Sequence, residues 1–147
     1  MPLLEQLLEK NKDKLKIVFK NFPLRNHKFA MKAAIGALAA NTQGKFWEFH
    51  DLLFKNYNKL NDEKIRDIVR SLALDELEFE KAMKDPVLQR KVGQDIFDGR
   101  QAGVRGTPTV FINGKLLRDR TLRGFQAAVD KELEKIGKSN AKLNPSK

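Results

Sequence analysis

The 147-residue chain contains no cysteine. That absence excludes disulfides, thiolate metal ligands and thiol nucleophiles, and it leaves the redox state of the compartment unmarked. Histidine is scarce, with two residues, and no cluster of carboxylates accompanies either His27 or His50. A metal centre is therefore not expected. No glycine-rich phosphate loop and no Ser-His-Asp constellation is present, so no cofactor is expected either. Long apolar runs are missing: no stretch reaches bilayer length, and Met1-Pro2-Leu3-Leu4-Glu5 meets an acid before a signal-peptide core develops. Acids are fewer than bases, 19 against 29, for a net charge of +10. Such an excess draws anions in general. The lysines are scattered along amphipathic segments without interleaved aromatics, so nucleic acid is not expected, and a basic polyanion-binding module is the third-ranked reading.

What is present is a globular pattern of one-domain length. Leu3, Leu4, Leu7 and Leu8 recur at helical spacing over residues 2–11. Residues 15–22 alternate as a strand, with Leu15, Ile17 and Phe19 on one face and Lys16, Val18 and Lys20 on the other. A helix is expected from Asn26 or His27 through the alanine-rich run to Gln43-Gly44, where Gly44 suits the residue after a helix end. Residues 45–57 form a second helix, with Phe46, Trp47 and Phe49 read as core aromatics. His50 on this helix reads as a packing residue rather than a ligand. Asn61, Asp75 and Asp85-Pro86 are N-terminal caps of three further helices. The last of these runs to about Ala102, with Val87, Leu88, Val92, Ile96 and Phe97 inward. Thr121 caps a final helix with Leu122, Phe125, Val129, Leu133 and Ile136 buried, ended by Gly137.

Between the last two helices lies Gly103-Val104-Arg105-Gly106-Thr107-Pro108-Thr109-Val110-Phe111-Ile112-Asn113-Gly114. Asn-Gly is a strong hairpin signal, since a type I′ turn needs positive φ at both central residues. The spacing predicts a strand over 109–112 and a return strand over 115–118, with proline tolerated at the strand start. From spacing alone, the Thr107-Pro108 bond is an ordinary turn before an edge hairpin. The element order makes the fold α/β, with a helical block inserted between the first strand and the hairpin.

Three stretches in combination resemble the DsbA-like branch of the thioredoxin superfamily, whose members are thiol–disulfide oxidoreductases. They are Ile17-Val18-Phe19-Lys20-Asn21-Phe22-Pro23-Leu24, Gln43-Gly44-Lys45-Phe46-Trp47-Glu48-Phe49-His50-Asp51, and the 103–114 stretch itself. The resemblance implies a thioredoxin-like α/β domain over 1–137, with the helical insertion at about 26–102; the polar basic run 138–147 reads from its own residues as a flexible tail. The resemblance also implies a cis bond at Pro108 and a bacterial, periplasmic or exported setting. The family carries its chemistry in a Cys-x-x-Cys motif at the start of its first helix, after a central first strand. Residues 2–8 resemble the later part of that helix, so the expectation is an N-terminally incomplete, redox-inactive domain with no catalytic residue. In the family, the loop before the proline docks peptide by backbone pairing. Arg105, Gly106, Thr107 and Pro108 are therefore the candidate substrate-binding residues, unless the loop only holds the sheet corner. The expected partners are an extended peptide or unfolded protein, and a homodimer or exchanged strand filling the central gap. A chaperone-like peptide-binding module is the main alternative to a family enzyme.

Overall fold

The computed structural model describes residues 2–143, with side chains described from Leu3 to Lys138. In chain order the elements are α1 (Pro2–Lys10), α2 (Ala30–Asn41), α3 (Phe46–Lys55), a 3-10 turn (Tyr57–Lys59), α4 (Asp62–Ser71), α5 (Glu76–Met83) and α6 (Pro86–Gln101). The hairpin β1 (Phe111–Ile112) and β2 (Lys115–Leu116) follows, and α7 (Leu122–Leu143) closes the described chain. These elements fall into two compact units, one of residues 1–17 with 108–147 and one of residues 18–107.

In the first unit, Leu7 of α1 is buried with Phe125 and Val129 of α7. Leu15, Val110, Ile112 and Leu117 pack around them. Asn11 caps the end of α1 and reaches α7, where its amide donates to Gln126 at 3.0 Å. The hairpin is antiparallel, with Phe111 opposite Leu116 and Ile112 opposite Lys115. Its turn has positive φ at both Asn113 (47°) and Gly114 (76°), as the Asn-Gly pair predicts. One backbone bond beyond the ladder, from Leu117 N–H to Val110 at 2.8 Å, continues the pairing. The strands are shorter than the spans 109–112 and 115–118 read from the sequence.

In the second unit, α2 supplies a face of small residues. Ala33, Ala37, Ala39 and Ala40 are buried against Phe49, Leu53, Ile65, Ile68, Val69 and Phe79. A Cβ on Gly36 would stand 3.2 Å from the Phe49 ring, so this crossing is close. The caps behave as read: the side chains of Asn61, Asp75 and Asp85 accept from Lys64, Glu78 and Val87 N–H. Gly44 and Gly103 follow α2 and α6 with φ of +72° and +78°.

Several expectations are corrected. Helix α2 starts at Ala30, because residues 25–29 form turns held by His27 N–H to Leu24 and Ala30 N–H to His27. Trp47, Val87, Phe97, Leu122 and Ile136 are exposed rather than core, since a wide apolar stripe has more faces than each unit has neighbours to cover. Helix α7 runs past Gly137, whose cost of about 1 kcal/mol is too small to stop a helix of good formers. Residues 138–143 of the basic tail thus continue α7, and 144–147 lie outside the described residues.

The largest difference concerns residues 15–22. Leu15, Ile17 and Phe19 are half-buried, alternating with exposed Lys16, Val18 and Lys20, which is the burial of a strand. Yet the segment has no ladder: among the described residues the one sheet is β1–β2. A strand is defined by the neighbour that takes its backbone hydrogen bonds, and the pattern alone cannot supply one.

Candidate functional site

Residues 105–107 end the second unit, and the first resumes at Pro108. Arg105, Thr107 and Pro108 are exposed and Gly106 is half-buried, in a bend between the end of α6 and β1. The stretch is led out of the helix by Gly103 and by Val104 N–H bonding to Gly99 at 2.8 Å. All four candidate residues are consecutive and accessible at one surface bend.

The sequence reading missed one neighbour. The Arg120 guanidinium donates to the Pro108 carbonyl at 2.5 Å. Arg120 sits in the loop after the hairpin, which is itself braced at the start of α7. Asp119 accepts from the Thr121 backbone at 3.0 Å and its hydroxyl at 2.7 Å, and these bonds hold its carboxyl below the usual range. Thr121 in turn accepts from Gly124 N–H at 3.1 Å, the cap the sequence predicted. A Cβ on Gly124 would lie 2.3 Å from the Asp119 carboxyl, so only glycine admits this loop. A cationic side chain held this way fixes the outgoing carbonyl of the proline and sets a positive charge beside the bend.

At the far end of the hairpin, Glu132 of α7 accepts from Lys115 at 2.7 Å and also pairs with Lys135. Those bonds, Lys115 first, bring its pKa down to about 2. This pairing ties the start of β2 to α7.

His50 occupies a different place. Its ring is buried in α3, with centroids 4.5 Å from Phe19, 4.6 Å from Phe54 and 5.7 Å from Trp47. Nδ1 lies 3.3 Å from the Asp51 carboxylate, and Nε2 is buried with no partner. Burial pushes its pKa down, against the pull of Asp51, so the imidazole is neutral. This is the packing residue the sequence suggested, in an aromatic nest whose unfilled polar position no sequence signal announced. His27 is exposed in the turn before α2. Among the described residues, no three His, Asp or Glu side chains are grouped to hold a metal ion. No helix among them is long and apolar enough to cross a membrane.

The sequence model described as Thioredoxin matches residues 2–131. The chain is 29% identical over 133 residues to the probable disulfide bond formation protein D of Bacillus cereus, covering 85% of this chain and 61% of that protein. It is 34% identical over 102 residues to the Na(+)/H(+) antiporter NhaA 3 of Salinispora tropica, covering 69% of this chain but 16% of the antiporter. The chain thus spans less than two thirds of these relatives. Among solved structures, the thiol-disulfide exchange protein alpha-DsbA2 from Wolbachia pipientis superposes with a TM-score of 0.78 at 28% identity, over 88% of this chain and 71% of that one. A thioredoxin-like oxidoreductase from Silicibacter pomeroyi shares the fold with a TM-score of 0.79 at 24% identity, over 91% and 77%.

Proposed function

This chain belongs to the thioredoxin family, and we propose that these 147 residues hold peptide without performing thiol–disulfide exchange. The observation that carries the reading is the pairing of a disulfide-exchange fold with a sequence free of cysteine. Exchange proceeds by a thiolate attacking a disulfide sulfur through a mixed disulfide, and no other side chain replaces that sulfur. What survives is the docking bend. Arg105, Thr107 and Pro108 are exposed, and an exposed bend leading into a strand can receive an extended chain by backbone pairing. The similarity to a thiol-disulfide exchange protein from Wolbachia pipientis supports the family side of this reading.

The test has two arms. Insulin reduction by the 147-residue chain should not exceed a blank, and turnover would refute the inactive reading. An extended peptide should bind at high salt, and binding should fall in Pro108→Ala.

A second reading is favoured by residues 15–22. Their strand-like burial without a ladder supports a strand supplied from outside these residues, by a second copy or by the partner polypeptide. In that reading the family fold is completed on binding. Light scattering across a hundredfold concentration range separates the two donors.

A further inference from the structure

In the unit of residues 18–107, α6 and the segment that follows Asn21 line an open groove of about 340 Å³. That volume lies within the range of ligand-sized pockets. Phe22, Leu24, Met31 and Ile96 make it apolar, and Arg25 and Arg100 are the charged residues that line it. No carboxylate is among the lining residues. Some cations of this unit are paired, as Lys20 is with Asp98, Lys32 with Asp62 and Arg70 with Glu76. Among the described residues, Arg25 and Arg100 have no such partner.

The glycines of α6 add a second observation. A glycine inside a helix costs about 1 kcal/mol relative to alanine. At Gly99 the packing explains it, because a Cβ there would meet the Phe22 ring at 2.9 Å. At Gly93, which lines the groove, a Cβ would meet nothing within 4 Å. The helix is bare where no residue of the unit needs the room.

We propose that this groove binds a polypeptide segment presenting a bulky apolar side chain next to a carboxylate. The apolar side chain sits against Phe22, Leu24 and Ile96, and the segment's backbone passes over Gly93. The carboxylate meets the guanidinium of Arg25 or Arg100, whose planar fork suits two-point recognition. Met31, half-exposed and unbranched, adapts to the side chain offered. Charge complementarity selects the carboxylate. The groove is shallow, since Arg25, Met31, Gly93 and Arg100 are all exposed. It therefore covers one side chain of a peptide and leaves a longer aliphatic tail wet. This site shares no residue with the Arg105–Pro108 bend and stands whether or not that bend binds.

The experiment titrates the full chain into a fluorescein-labelled nonapeptide with a central phenylalanine between two glutamates in a glycine–serine frame. Saturable anisotropy is expected, with amide shifts at Gly93, Ile96 and Arg100. Arg25→Gln with Arg100→Gln, both at exposed positions, should weaken binding by about tenfold or more. Gly93→Leu should fill the groove and abolish binding while leaving the circular dichroism unchanged. Should Gly93→Leu disturb the fold, the arginine pair and the amide shifts decide. No saturable binding at millimolar protein would overturn the proposal, as would equal binding of a peptide with alanine for phenylalanine. Equal competition by decanoate would overturn the choice of polypeptide.

Discussion

Asp95 accepts from Asn21 twice through one oxygen, at 3.0 Å from the backbone N–H and 3.2 Å from the side-chain amide. Its other oxygen takes Lys20 at 3.1 Å and Lys91 at 3.3 Å. Asp95 is 2% exposed, so this carboxylate is the internal post to which the unladdered segment is tied. A strand without a neighbour here finds its backbone partner on a helix.

Removing that post should be costly. Asp95→Ala leaves Asn21 N–H and its amide without an acceptor in a buried place, for a loss of about 2–4 kcal/mol in chemical denaturation. Burial pushes the Asp95 pKa up, but the bonds from Asn21, Lys20 and Lys91 outweigh it and the carboxyl lies below its usual range. A carboxyl lowered on folding adds stability above its unfolded pKa of about 4, and that stability fades as pH falls further. The wild type should lose stability below about pH 4, and Asp95→Asn should lose less over the same interval.

His50 gives a pH dependence in a higher window. Its folded pKa is lowered from 6.5, so the unfolded chain takes the proton first. Stability should be full above about pH 6.5 and should decline as pH drops below it. His50→Leu removes both the titration and the unpartnered Nε2. The variant should be the more stable protein at pH 5.5, and its denaturation midpoint should be flat between pH 7 and 5.5.

Arg120 holds the Pro108 carbonyl, next to the bend proposed to dock peptide. Arg120→Ala should weaken binding of an extended peptide by about 3–10-fold, the loss of one charge-assisted hydrogen bond to a partly solvated carbonyl. The melting temperature should stay within about 2 °C, since the bend is exposed. Arg120→Lys should recover part of the affinity, which a purely structural role would not require.

Residues 15–22 predict a response to a strand donor. Val18 is 65% exposed and flanked by Lys16 and Lys20 on the open face. Addition of a strand should protect the amides of Val18 and Lys20 from hydrogen exchange. Unprotected amides in every condition, with a monodisperse monomer, would refute strand completion.

Much of this architecture was legible because it is local. The caps at Asn61, Asp75 and Asp85 and the Asn113-Gly114 turn each depend on a few neighbouring residues, and each lies where the sequence put it. Asp95 was not legible: within a helical pattern a charge reads as solvent-facing, and its partners Asn21 and Lys20 are 74 and 75 residues away. Phe97 and Val87 fail for the converse reason, since an apolar side chain is buried only where another element covers it. At the candidate site, the exposed bend of residues 105–108 was expected from Gly103, Gly106 and Pro108, and the Arg120 contact to Pro108 was not, because it crosses the hairpin.

The direct measurement is amide shift mapping of the 147-residue chain with a neutral, cysteine-free extended peptide. The account predicts saturable shifts at Arg105, Gly106 and Thr107, lost in Pro108→Ala. Silent resonances at those three residues with millimolar peptide would contradict it.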